Sequence, residues 1–229
     1  FGPENKFGFF PSVSAGWVIS EEEFFDDESA ITFLKLRGST GLIGNDRIGD
    51  FRFTSLLTGE GQYVFNDQII NGLAIGGLSN PEIKWEEQFT SNLGFDAGLF
   101  DRKLNIGFDI YQRETQDLLI APQVSGILGS GAPGSSAPFI NGGDVRNRGI
   151  ELSIGYSDSL SDDFSFGIDY NVSTVQNEVL RVNNQTGFIE AGGFGVGQPP
   201  ITRFEEGQPI GYFYGYQTDG IFQNAAEVA

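Results

Sequence analysis

Cysteine, histidine and methionine are all missing from this 229-residue sequence. Without thiols or imidazoles it has no Ser-His-Asp or Cys-His nucleophile, no Cys/His zinc site and no disulfide framework. Only carboxylates, hydroxyls, amines and amides are left for chemistry. Positive charge is scarce too: 13 Lys and Arg stand against 31 Asp and Glu, a net charge of −18. That argues against a nucleic-acid partner, because a phosphate backbone is bound by concentrated Lys and Arg that displace counterions. Nowhere do about 18 apolar residues run together, which excludes a membrane-spanning helix. The opening residues Phe1-Gly2-Pro3-Glu4-Asn5 carry no initiating Met and no basic or apolar part of a secretory signal, so the start reads as cut from a longer chain.

What is abundant points to β-structure. Glycine, at 33 residues, is about twice its usual share of roughly 7%, and Phe at 22 outnumbers Tyr at 7 and Trp at 2. An apolar content of 39% suits an ordered chain of one domain or two small ones. Between Trp85 and Phe100, Phe89, Leu93, Phe95, Ala97 and Leu99 alternate with Gln88, Asn92, Gly94 and Asp96, a period of two that predicts a long strand with unlike faces. After Asp101-Arg102-Lys103 the pattern resumes, with Leu104, Ile106, Phe108 and Ile110 alternating with Asn105, Asp109, Tyr111 and Arg113. Upstream, two more strands are predicted around Val13, Ala15, Trp17 and Ile19 and around Leu34, Leu36, Gly38 and Thr40. Downstream, Ile150, Leu152, Ile154 and Tyr156 mark one strand, Phe164, Phe166, Ile168, Tyr170 and Val172 another, and a seventh is predicted from Ile210 through Tyr216.

Connections alternate in length: 20–30, 101–103 and 157–163 are short, whereas 42–84, 116–147 and 180–209 are long and rich in Gly, Asn, Pro and Ser. Short turns at one end and long loops at the other characterise outer-membrane barrels. The three short turns hold −8 of the net charge. In the first of them, Ser20 and Glu23 predict a short helix with a capping box. No charge falls on the apolar faces, while the opposite faces carry Lys35, Arg37, Asp96, Asp109, Arg113, Glu151 and Asp169. A soluble β-sandwich also alternates in this way, so alternation alone leaves both architectures open. Length favours the membrane: the period holds for ten or more residues, whereas sandwich strands run five or six and a tilted strand crosses a bilayer in about 9–11. Trp17, Phe100, Tyr156 and Phe164, near the short-turn ends, suit an interfacial aromatic girdle.

The motifs then carry a resemblance. Phe9-Phe10-Pro11-Ser12 with Ser14, Gly16 and Trp17, Leu34-Lys35-Leu36-Arg37 with Ser39, Gly44 and Asn45, and Asn80-Pro81-Glu82-Ile83-Lys84-Trp85-Glu86 stand in order along the chain. They are followed by Tyr111 with Thr115, Asp117, Leu118 and Leu119, by Asn141 through Glu151, and by Tyr214-Gly215-Tyr216 with Asp219-Gly220-Ile221-Phe222-Gln223-Asn224. In these six elements the sequence resembles the SusC/RagA class of TonB-dependent outer-membrane transporters. Gln116 and Glu178 depart from it, standing where Lys is common. The resemblance implies an all-β, antiparallel, up-and-down barrel of about 22 strands, of which residues 1–229 supply six to seven. Residues 1–229 are then part of the β-barrel domain, with the plug and the terminal strands outside them. It also implies the outer membrane of a Gram-negative bacterium, import of oligosaccharide or peptide, a SusD-like surface lipoprotein over the long loops, and TonB acting through N-terminal parts.

In that frame Lys35, Arg37, Asp96, Asp109, Arg113, Glu151 and Asp169 are expected to face the lumen. Leu34, Leu36, Phe89, Leu93, Phe95, Leu99, Leu104, Ile106, Phe108, Ile110, Ile150, Leu152, Ile154, Phe166 and Ile168 are expected to face lipid. No catalytic residue, cofactor or metal site is expected. Asp26-Asp27 and Asp162-Asp163 read as solvated turn acids, and Gly193-Phe194-Gly195-Val196-Gly197 lacks the Lys-Ser/Thr of a phosphate loop. Asn45 and Asn147-Arg148-Gly149 read as loop-to-strand geometry, and Tyr212-Phe213-Tyr214 with Tyr216 as packing or a sugar-stacking surface. The competing architecture is a β-sandwich adhesin that binds carbohydrate through its loops and buries its apolar face. An enzyme working by carboxylates alone, such as a glycosidase, would need a paired acid in a cleft, and the sequence nominates none.

Overall fold

A computed structural model describes residues 1–26, 29–122, 136–193, 199–218, 220, 221 and 223. Asp27, Phe194 through Gly197, Asp219, Phe222 and Asn224 of the motifs above lie outside the described residues. Among the described residues there are thirteen strands: β1 (Ser12–Val18), β2 (Ile31–Asn45), β3 (Leu57–Phe65), β4 (Gln68–Ile75), β5 (Glu86–Leu99), β6 (Leu104–Gln116), β7 (Leu119–Ile120), β8 (Ile140–Asn141), β9 (Gly143–Ser161), β10 (Phe164–Val182), β11 (Phe188–Ala191), β12 (Thr202–Glu205) and β13 (Tyr212–Phe213). Six of them form one antiparallel sheet in the order β1-β2-β5-β6-β9-β10. The fold is all-β, and each long strand lies beside the next long strand along the chain. Short connections (19–30, 100–103 and 162–163) lie at one end of this sheet, the turn end. Long ones (46–85, 117–142 and the segment after 182) lie at the other, the loop end, and carry the three small sheets β3-β4, β7-β8 and β11-β12-β13.

Register sorts the side chains. Trp17, Leu36, Phe95, Phe108, Leu152 and Val172 are directly opposed across all six strands. Parallel rows on the same face hold Leu34, Ala97, Ile106, Ile154 and Tyr170, then Gly38, Leu93, Ile110, Ile150 and Thr174. With the row Leu99, Leu104, Tyr156 and Ile168, these four rows cover about 20 Å along the strands at about 3.4 Å per residue. Phe89, placed among the apolar positions, belongs to a row of different character, with Leu42, Glu114, Arg146 and Glu178, beyond the belt on the loop side. The belt is not packed inward: Leu93 is 63% and Ile168 64% exposed. A sandwich would have buried this face. The buried cluster lies instead at the loop end, where Val145, Val179, Val182 and Phe204 pack with Leu118 and Ile189.

Four expectations are corrected. Residues 42–45, 143–147, 157–161 and 180–182, left in loops by the alternation, are strand. The ladder continues there because both partners continue, although the apolar signal has stopped. The seventh strand shortens to Tyr212–Phe213 and joins β12 rather than the large sheet. The long loop 42–84 encloses the β3-β4 hairpin, closed by Asn66 and Asp67 at φ 49° and 57°, the left-handed pair that a tight hairpin turn requires. The capping box does not form: a single turn of 3-10 helix spans Ile19–Glu21 with Val18 as its cap and no side-chain cap bond. That turn stops before Glu23 can occupy a third helical position, and the Trp17 indole N–H donates to Glu22 instead, at 2.7 Å.

Gly149 tests how tightly the sheet is built. A Cβ there would stand 2.1 Å from the Thr174 carbonyl oxygen and 2.7 Å from the Tyr111 hydroxyl, whereas one at Gly167 meets nothing closer than 3.9 Å. Gly149→Ala is expected to cost about 1–3 kcal/mol, and Gly167→Ala under about 1 kcal/mol. Thermal unfolding of the intact protein separates the two.

Candidate functional site

The charged residues picked out by alternation share one face, opposite the apolar belt. Lys35 pairs with Asp96 in register, and Arg37, Gly94, Asp109, Glu151 and Ser173 are opposed along one row. Arg37 and Asp109 therefore stand two strands apart, about 9.5 Å between backbones. They meet because Gly94 lies between them without a side chain; a Cβ at Gly94 would sit 2.5 Å from Asp109 Oδ1. Arg37 donates to both oxygens of Asp109 (Nη1 to Oδ1, 2.6 Å; Nη2 to Oδ2, 2.8 Å) and to both of Asp96 (Nε to Oδ2, 3.0 Å; Nη2 to Oδ1, 3.1 Å). One guanidinium thus bridges β2, β5 and β6, in the bidentate geometry that makes such pairs strong. Lys35, Arg113, Glu151 and Asp169 lie on the same face but outside this cluster, with Arg113 stacked over Tyr111 at 5.0 Å. Nearer the turn end a shallow hollow of about 400 Å³ is lined by Phe33, Asp96, Arg102, Ser153, Asp169 and Asn171.

A second assembly ties the loop bases together. Asn141 accepts from the Lys84 N–H and donates to the Lys84 and Asp117 carbonyls, all at 2.9–3.0 Å. Glu86 accepts from Asn45 Nδ2 with one carboxylate oxygen and from the Leu119 N–H with the other, both at 2.9 Å. Asn80 Nδ2 donates to the Phe139 carbonyl, and Asn183 Nδ2 to that of Asn141. Asp144 accepts from the Asp117 N–H and from Arg181, whose Nε lies 2.7 Å away. Burial pushes the Asp144 carboxyl up, but the Arg181 and Asp117 hydrogen bonds and the Arg181 charge outweigh it and hold the group below its ordinary value. Asn45 ends β2 and accepts from the Arg47 N–H at 3.2 Å, as turn chemistry implies, whereas Asn147 lies within β9 and accepts from Asn177 Nδ2 of β10 at 2.7 Å, a cross-strand pair and not a turn. The roles of Asn80, Glu86, Asp117 and Asn141 were not assigned by period, although all four stand inside the motifs. Asp162 and Asp163 form the exposed turn between β9 and β10.

The aromatic run is committed to packing in part. Arg203 lies between the rings of Phe188 and Tyr214, at 4.2 and 3.3 Å, and the Tyr212 hydroxyl donates to Glu205. Phe213 and Tyr216 remain exposed.

Removing the bridge should leave two adjacent carboxylates without a cation. Arg37→Met is expected to cost about 2 kcal/mol of stability, the scale of hydrogen bonds to charged groups; Lys35→Met is expected to cost under about 0.5 kcal/mol. Thermal unfolding of the intact protein measures both. Asp144 gives a pH signature, because a carboxyl lowered on folding contributes its full stability above the ordinary value of 3.8 and loses it as pH falls through the lower folded value. Protection of the Asp117 amide from hydrogen exchange, corrected for intrinsic rates, is expected to hold down to that region and then fall. In Asp144→Asn the protection should be weak and pH-independent.

Comparison with known proteins places these features in a family. Residues 2–227 match the family model described as TonB dependent receptor-like, beta-barrel. TonB-dependent receptor P39 of Formosa agariphila is 37% identical over 226 residues, covering 97% of this chain and 20% of that protein. TonB-dependent receptor SusC of Bacteroides thetaiotaomicron is 31% identical over 199 residues, covering 84% of this chain and 19% of that protein. The solved structure of the RagAB peptide transporter superposes with a TM-score of 0.79 at 27% identity, over 93% of this chain and 22% of its own. The chain thus spans about a fifth of the length of the relatives it matches.

Proposed function

The chain belongs to the TonB-dependent receptor β-barrel family, and on that premise we propose that it is a stretch of barrel wall in an outer-membrane nutrient importer of the SusC/RagA type. Residues 1–229 are part of one barrel domain, whose plug and remaining strands lie outside them. The face carrying Lys35, Arg37, Asp96, Asp109, Arg113, Glu151 and Asp169 lines the lumen. The belt of Leu34, Leu36, Leu93, Phe95, Leu99, Leu104, Ile106, Phe108, Ile110, Ile150, Leu152, Ile154 and Ile168 meets outer-membrane lipid, with Phe89 at its loop-side margin and Phe166, opposite Asp158, at its turn-side margin. The turn end faces the periplasm, and the loop end faces outward, where a SusD-like lipoprotein closes over the loops. Peptide or oligosaccharide is the cargo; the likeness to a peptide transporter supports the first class. TonB drives import through the plug-bearing part of the protein. Bound substrate meets only side chains that hold and orient it, in keeping with relatives named as receptors and transporters.

The observation that carries this reading is the sorting by register: four apolar rows on one face, left exposed, and the charges of the same strands on the other. In oil an arginine at the midplane of a barrel costs about 2–4 kcal/mol. Leu93→Arg in the full-length protein is therefore expected to impair membrane assembly, and Asn92→Arg, one residue away on the opposite face, to be tolerated. Equal tolerance of both would overturn the assignment of faces. Purification of the full-length protein in detergent, with mass spectrometry of what accompanies it, tests the rest: a co-purifying lipoprotein and a bound peptide or glycan are expected.

A further inference from the structure

We propose that the outward side of β9 carries a binding site for the phosphate of a membrane-lipid headgroup, centred on Arg148; the site rests on the reading that the apolar belt meets lipid. The row next to the belt on the loop side runs Val13, Thr40, Ser91, Gln112, Arg148 and Gln176. It is the first row beyond the hydrocarbon-facing ones, the level at which headgroups lie. It holds no carboxylate, in a chain whose acids outnumber its bases 31 to 13. Thr40 and Ser91 satisfy each other at 3.0 Å, which leaves Arg148, Gln112 and Gln176 as the row's remaining polar side chains.

Arg148 stands directly between Gln112 on β6 and Gln176 on β10. Its Nε donates to Gln176 Oε1 at 2.9 Å. That bond fixes the guanidinium plane and leaves both terminal nitrogens, and the Gln176 amide nitrogen, free to donate. The result is a planar donor fork flanked by amides, with the geometry that takes a phosphate through two parallel hydrogen bonds. Arg148 is exposed. Because β9 has β6 on one side and β10 on the other, no further strand of the barrel can cover it; an occupant must come from outside the sheet. One row farther out, Arg146 is already held by Glu178 at 2.7 Å, opposite Glu114. The acids there confine an anion to the level of Arg148, directly above Ile110 and Ile150.

The test uses the full-length protein in a maltoside detergent, which carries no phosphate, with lipid A added in phosphorylated or dephosphorylated form. Native mass spectrometry reads the lipid retained. Wild type is expected to retain the phosphorylated form, and Arg148→Gln to retain it about tenfold less, the change that follows loss of one charge-assisted hydrogen-bonding group. Arg148→Lys, which keeps the charge but not the fork, should fall between them, and an unchanged unfolding temperature shows that each variant is folded. Equal retention by wild type and Arg148→Gln overturns the site, as does equal retention of the two lipid forms. Stabilisation of wild type by inorganic phosphate alone, abolished in Arg148→Gln and unmatched by lipid A, would assign the fork to the free anion and overturn the lipid source. Failure of the underlying barrel reading looks different: the protein would then stay in solution after detergent removal, whatever residue stands at position 148.

Discussion

Because side chains along a strand alternate between two faces, a slip of one residue between any neighbouring pair of the six long strands would carry Arg37, Asp96, Asp109 or Glu151 into the apolar rows. Separation of charge from apolar surface therefore depends on register. Local geometry holds it at the turn end: Phe100, Asp101 and Arg102 take φ of 53°, 56° and 62°, and the chain reverses within 100–103. Three non-glycine residues in a row are left-handed there, a conformation that only a strongly determined turn sustains. The register shifts of the large sheet fall between Ile31 and Phe33, Phe164 and Ser165, and Val179 and Arg181. All three lie at strand ends, so the four belt rows pass through uninterrupted pairing.

On the charged face, glycine makes the electrostatics possible. Arg37 spans two strand spacings to reach Asp109 because Gly94 leaves the intervening position empty. Gly107 and Gly155 do the same beside Ser153 and Asp169, where a Cβ would come within 2.6 and 2.8 Å. At these three positions glycine serves the close approach of neighbouring side chains across strands, not a turn. Arg37 and Asp96 are each about a third exposed and Asp109 is largely covered, which places the bridge between a solvated ion pair and a buried one. Its consequence is that two carboxylates on adjacent strands share one cation, which halves their charge and also ties in a third strand.

At the loop end the motifs turn out to be joinery. The side chains of Asn45, Asn80, Glu86, Asn141 and Asp144 bind backbone groups or a carboxylate 24 to 59 residues away along the chain, at the bases of three loops. Asparagine suits this work because one amide both donates and accepts, as Asn141 does with Lys84. Loops carry binding in proteins of many kinds, and a rigid base is what positions them.

The sequence by itself determined the strands wherever apolar and polar residues contrast, as in 89–99, 104–113 and 150–156, and with them the membership of each face, because a period of two needs no knowledge of partners. It also determined the chemistry that is absent, since missing thiols and imidazoles cannot be restored by folding. It did not reveal that β9 and β10 run on through 143–147 and 180–182: the outward face turns charged at Arg146 and Glu178 while Val145 and Val179 pair on the other, so the earlier alternation no longer applies and only the partner strand's ladder defines the structure. Nor did it mark the β3-β4 hairpin, although Asn66-Asp67 between Tyr63-Val64-Phe65 and Ile69-Ile70 carried a turn signal. Which charges meet was decided by tertiary structure alone. Arg37 and Asp109 are 72 residues apart, and their contact depends on the order of three strands and on a glycine in the middle one, neither of which any single strand's pattern contains.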